Sequence, residues 1–460
     1  MKNLNLLLIA SLFVPTLARA ELKLHSSGKD KNFLYDYDSK ALSTHVYFVF
    51  RNGSMGDPKG KEGLTRLSLN ALLRGTEKKT HIEFVSAVEQ MGAAIEVDPG
   101  VSRSILSLNT LSENLVPAVD LLAEAVLHPG LRAEDIGELK EEELARLNQE
   151  MSSNRSVMKR TFRQALYAGT SMAFPAEGTI DGIKAAGVED IKAMLAKSVS
   201  NGNVLIAVSS SKPEAELKSI LEKAFVGLPE GPRVATPPLP FHPIKGRTLF
   251  VVDRKGSSTT ELAIGHLGIK ADDPDREALE TGMFVFGSDF TSRVPNVLRK
   301  EHGWTYGAYA SYQLLDLPRK NGGAFLLYSF PRAEFTEKLV PKAVELLEDY
   351  SKKGVSDKEL NYAKNSLENS YAFKFADSES RVMGQLYQAL DDAPRPSVPE
   401  YRKIIQSLTK TQILKAIQRV HDPKNMIFVL VGDPEQTKNI AKLVPGIVKT
   451  VTVEDPMKAF

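Results

Sequence analysis

The side chains able to break or make bonds are few and dispersed. There are eight histidines, and no two of them lie three or four residues apart. No helix face therefore presents a metal-ligating histidine pair. The chain has no cysteine, which excludes thiol nucleophiles and disulfides alike. Gly287-Ser288 does not form the G-x-S-x-G turn of a serine nucleophile. The run EEELARLNQE places Glu143 and Glu150 seven residues apart, on one side of a helix. Without imidazole partners a single carboxylate does not hold zinc tightly. Glu138, Glu141, Glu142 and Glu143, mixed with Lys140 and Arg146, read as a solvated helix face.

The elements that would position such groups are clearer. GLTRLSLNALLRGT, Gly63 to Thr76, repeats Leu64, Leu67, Ala71 and Leu72 at helical spacing, so one face should be buried. Arg66, Leu69 and Asn70 lie on another face. A β-rich run, His45 to Arg51, and the turn segment NGSMGDPKGKEG precede this helix. In this order of strand, turn and helix the chain resembles the pitrilysin/insulinase family of zinc peptidases. In that family the helix carries H-x-x-E-H, two histidines on zinc and a glutamate that polarises water. Here those positions read Arg66, Leu69 and Asn70: a permanent cation, a side chain with no proton to exchange, and a poor zinc ligand. The resemblance implies a third ligand about eighty residues on, which makes Glu150 the relic position. It therefore implies a degenerate peptidase with no metal of its own.

The second half is closer to the family. FGSDFTSRVPNVLRKEHGWTYGAYASY is similar to its GGxxxSRLxxxLRExxGLxY segment at Gly287, Ser292, Arg293, Leu298, Arg299, Gly303 and Tyr306, while Ser288 and Val294 depart from it. The resemblance assigns Arg299 and Tyr306 to the pair that faces zinc from the opposite half. A guanidinium can grip a substrate carbonyl, and a phenol can donate to a developing oxyanion. The alternative is that Arg299 caps a helix and Tyr306 packs in a strand. Trp304, the single tryptophan, either lines a peptide channel or belongs to the core.

Composition sets the frame. An apolar fraction of 42% and a charged fraction of 25% are those of a globular protein, and a net charge of +2 offers no nucleic-acid surface. Met1 to Ala20 reads as a secretory signal, with Lys2, a largely apolar Leu4–Leu17 and Ala18-Arg19-Ala20 as the cleavage site. Export to the periplasm follows, with secretion to the medium as the other destination. No later stretch is long enough to span a bilayer. LPEGPRVATPPLPFHPIKG, Leu228 to Gly246, is proline-rich and reads as a linker between residues 21–227 and 247–460. The two sides echo one another: GNVLIAV against KNMIFVL, DIGELKEEELARL against KELNYAKNSLENS, at an offset of roughly 220 residues. Strands and helices mix without strict βαβ alternation. The expected fold is α+β, two homologous halves of largely antiparallel sheet plus helices, which the resemblance makes a clamp around a peptide channel.

These readings converge on a non-catalytic, substrate-binding subunit of a periplasmic zinc endopeptidase, with Arg299 and Tyr306 lent to a homologous zinc-bearing partner in a heterodimer. The substrate would be a peptide or unfolded polypeptide, held partly by strand addition. The alternative is a stand-alone peptide-binding or scaffold protein, as a homodimer, with no peptidase partner. An active metallopeptidase with other ligands is disfavoured because no ligand cluster is visible in the sequence.

Overall fold

The computed structural model describes residues 22–27, 31–235, 244–313, 322–391 and 395–457. The signal segment with its cleavage after Ala20 lies outside the described residues, as do residues 236–243 of the linker.

Two sheets carry the molecule. The first holds β1 (Phe33–Tyr37), β2 (Ser43–Phe50), β3 (Ala94–Pro99), β4 (Ser104–Leu111) and β5 (Val204–Ser210), in the order β1-β5-β2-β4-β3. The second holds β6 (Arg247–Asp253), β7 (Glu261–Leu267), β8 (Thr305–Gln313), β9 (Ala324–Pro331), β10 (Ile427–Gly432) and β11 (Ile447–Thr452), in the order β11-β6-β10-β7-β9-β8. Without β11, each half runs first strand, fifth, second, fourth, third. The duplication seen in the residues is thus a duplication of topology. Most pairings are antiparallel, but β1 with β5, β6 with β10 and β11 with β6 run parallel. Those parallel strands are distant in sequence, so helices fill the crossings between them.

The strand sequences explain the layering. β5 (VLIAVSS) and β10 (IFVLVG) are buried along their whole length. Alternate side chains point to opposite faces, so an unbroken apolar run requires cover on both. Val204, Ile206 and Val208 join the core under the first half's own helices, as Phe428 and Leu430 do in the second. The opposite faces are covered by exchange. The Asn154–Leu166 helix lays Val157, Met158 and Phe162 against Ala263, Val429 and Val431 of the second sheet. The Ser378–Asp391 helix lays Val382 and Leu386 against Leu34, Val49, Leu205 and Ala207 of the first. This second helix falls in a stretch, between Phe373 and Met426, to which the sequence reading assigned no element. Polar contacts pin it: Arg381 meets Asp36 in a fork at 2.7 and 3.0 Å, Tyr47 donates to Glu379, and Ser209 meets Ser378.

Candidate functional site

The degenerate helix is shorter than its pattern, Leu64–Ala71. Asp57 in the preceding turn sets its start by accepting from the backbone N–H of Gly63 at 2.8 Å and of Thr65 at 2.9 Å. Burial pushes the Asp57 carboxyl up to about 6, against the pull of those hydrogen bonds. Leu69 is 2% exposed and belongs to the core of the first half.

Arg66 and Asn70, four residues apart, face the Ala133–Ser152 helix and converge on one carboxylate. Arg66 Nε donates to Glu143 at 2.9 and 3.1 Å, and Asn70 Nδ2 donates to it at 3.2 Å. Arg146 adds bonds of 2.7 and 2.8 Å to the same group and reaches Glu150 at 2.5 Å. Two sequence readings are corrected here. The carboxylate opposite Arg66 and Asn70 is Glu143, not Glu150. Seven residues are two helical turns, about 10 Å along the axis, so only one of the two glutamates can reach. Nor is Glu143 part of a solvated face, since it is 6% exposed. Glu138, Glu141 and Glu142 are exposed, as expected.

Zinc does not fit this arrangement. Arg66 puts a guanidinium, already paired with Glu143, at the centre of this cluster, and a cation there repels a second one. Among the described residues no group of three or more histidines or carboxylates could hold a metal.

Arg299 and Tyr306 are brought together. Residues Asn296–Glu301 form a widened helical turn, and Tyr306 is the second residue of β8. The Arg299 guanidinium carbon lies 4.5 Å from the centroid of Phe290 and 5.4 Å from that of Tyr306. Both rings are open to solvent, Tyr306 at 80% and Phe290 at 61%. Among the described residues the Arg299 side chain makes no hydrogen bond or ion pair, and the aromatic faces are its contacts. Phe290 was missed by sequence reasoning, and its only signal is an aromatic nine residues before the arginine. Trp304 is half-buried against the core and stacks on His302 at 4.0 Å.

The rest of the motif is structural. Arg293 grips Glu359 with two bonds of 2.6 Å. Burial alone would raise the Glu359 carboxyl, but the Arg293 and Ser356 hydrogen bonds hold it at about 2. A Cβ on Gly287 would come within 2.4 Å of the Ala310 Cβ, so glycine lets this turn lie against β8.

Comparison with known proteins places this geometry. The family described as Insulinase (Peptidase family M16) matches residues 32–179, and the Peptidase M16 inactive domain matches residues 186–367. Together they take in well over half the chain, and the chain belongs to the M16 (insulinase) family of peptidases. It is an inactive-type member. The chain is similar to the Non-peptidase homolog YmxG of Helicobacter pylori, 23% identical and covering 83% of this chain and 87% of the relative. It is also similar to an uncharacterized zinc protease of Rickettsia felis, 20% identical over 82% of this chain and 90% of that one. Its fold matches a peptidase M16 inactive domain from Pseudomonas fluorescens with a TM-score of 0.78 at 24% identity, covering 87% of this chain and 95% of the other. The first half of the periplasmic protease PqqL from Escherichia coli matches at 0.73 and 11% identity, covering 89% and 90%. Among the described residues no helix is long and apolar enough to cross a membrane.

Proposed function

We propose that this chain is the non-catalytic, substrate-binding subunit of a periplasmic zinc endopeptidase, and that it lends Arg299 and Tyr306 to a homologous zinc-bearing partner. One observation carries the reading. The groups suited to steadying a scissile peptide sit together on an open surface, while the groups suited to holding a metal are tied into Arg66, Glu143 and Arg146. With its faces against Phe290 and Tyr306, the Arg299 guanidinium keeps its N–H edges for a peptide carbonyl. The exposed Tyr306 hydroxyl can donate to the oxygen that gains charge as that carbonyl is attacked. β8 ends its sheet, so its outer edge is unpaired among the described residues and can accept a peptide as an added strand. Export rests on the Met1–Ala20 signal and agrees with the fold likeness to a periplasmic protease. In this reading the zinc and the base belong to the partner, and this chain contributes positioning and charge stabilisation.

The test begins with co-purification from the native host and identification of the bound chain. A homologue with an intact H-x-x-E-H is expected. In the reconstituted pair, Arg299→Ala and Tyr306→Phe should each lower peptide turnover about 100-fold without weakening assembly, the loss typical of one oxyanion donor. A partner fully active alone overturns the reading. If no zinc-bearing chain is recovered, the stand-alone peptide-binding protein replaces it.

A further inference from the structure

Where the two halves interlock, the Asn154–Leu166 helix and the ends of β8 and β9 enclose a cavity of about 360 Å³. That volume suits a small organic ligand. Its apolar floor includes Phe162 and Leu326, and its polar lining includes Lys159, Arg160, Glu150 and Glu177.

Arg160 is anomalous. It is 4% exposed, and among the described residues its one side-chain hydrogen bond runs from Nη1 to the Gly178 carbonyl at 3.0 Å. Among the described residues no carboxylate lies within ion-pairing distance of it. Two other buried charges are matched by opposite ones: Glu143 has Arg66 and Arg146, and Arg247 has Glu348 at 2.7 Å. A guanidinium removed from water without a counter-ion is costly, and a binding site is one reason to keep it. Burial lowers the Arg160 pKa, while Glu177 and Glu150 pull from a distance in the other direction. Glu150 is itself engaged by Arg146 at 2.5 Å. Lys159 stands exposed at the rim with no ion-pair partner among the described residues.

We propose that this cavity seats the C-terminal carboxylate of a peptide whose last side chain is apolar, with Arg160 and Lys159 taking the carboxylate and Phe162 and Leu326 the side chain. Glu150 and Glu177 leave the lining only slightly cationic, which favours a monoanion over a phosphate dianion. The choice of a peptide as the source of the carboxylate rests on the peptide-binding reading above. The seat itself rests on Arg160 and Lys159 and is independent of Arg299.

The experiment is calorimetry on the exported chain without any partner. The probes are acetyl-alanyl-alanyl-leucine with a free carboxylate, the same peptide as its C-terminal amide, and octanoate. The acid should bind at least ten-fold more tightly than the amide. Arg160→Met and Lys159→Ala should each weaken the acid at least ten-fold, and Arg299→Ala should leave it unchanged. Arg160→Met should melt no lower than the parent chain, because it removes an unmatched buried charge. If that variant melts lower, Lys159→Ala, on an exposed side chain, carries the test. Equal binding of acid and amide, or undiminished binding by Lys159→Ala, overturns the proposal. Octanoate binding as tightly as the acid overturns the assignment to a peptide. The subunit reading fails separately, when turnover by the partnered complex ignores Arg299→Ala.

Discussion

Glu143 shows how one carboxylate can tie two helices together. It accepts from two guanidinium groups and an amide while nearly sealed from water. Breaking such a cluster strands charges in a poorly solvated place. Glu143→Gln should lower stability by about 3 kcal/mol, read as a drop in the urea midpoint with an unchanged slope. The same geometry makes a second prediction. Arg66→His together with Asn70→His would put two imidazoles four residues apart opposite Glu143, a three-ligand zinc set. Equilibrium dialysis should detect zinc on that variant and not on the parent chain. Adding Glu143→Ala should weaken it at least ten-fold, about 1.4 kcal/mol.

The exchanged helices join the halves more firmly than a linker would. Phe162 crosses from one half to lie against β7 of the other at Gly265. A Cβ there would fall 2.1 Å from the Phe325 carbonyl oxygen and 2.6 Å from the Phe162 ring. The ring could shift, but the strand backbone cannot. Gly265→Ala should therefore cost about 2 kcal/mol or more in thermal or urea unfolding, with both halves still melting together. Separate melting of two units would show that the exchanged helices do not couple them. The continuous apolar runs of β5 and β10 already required cover on both faces. They carried no sign that the cover comes from the opposite half, because alternation records burial and not the identity of the burying partner.

Across the whole molecule, acid sensitivity should come from a pair of histidines 155 residues apart. His266 Nδ1 lies 2.6 Å from the Leu267 carbonyl, which can only accept, so that nitrogen carries the proton. His266 Nε2 then accepts from His421 Nδ1 at 3.0 Å, and His421 Nε2 accepts from the Tyr312 hydroxyl. Both rings are neutral, and burial holds both below their ordinary value of 6.5. The unfolded chain binds more protons, so this stability is complete above about pH 6.5 and is lost as pH falls. The loss runs at up to about 1.4 kcal/mol per pH unit for each ring. Asp57 works the other way. Its folded carboxyl is raised from 3.8 to about 6, so between those values acidification favours the folded state. Urea midpoints from pH 8 to pH 4 should fall on the acid side. His266→Gln with His421→Gln should flatten that fall, and Asp57→Asn should steepen it.

The residues alone determined the family and the repeated halves, and they put Arg66, Leu69 and Asn70 on one short helix and Arg299 and Tyr306 in one short segment. All of these are matters of side-chain identity and short spacing, and a linear chain displays both. Only the tertiary structure decided that Glu143 rather than Glu150 meets the degenerate helix. It alone brought Phe290 under Arg299, joined His266 to His421, sent Ser378–Asp391 onto the far sheet and left Arg160 without a counter-ion. Each of these depends on which distant segment arrives at a given face. Periodicity fixes which face is buried, and packing across the finished fold selects what buries it.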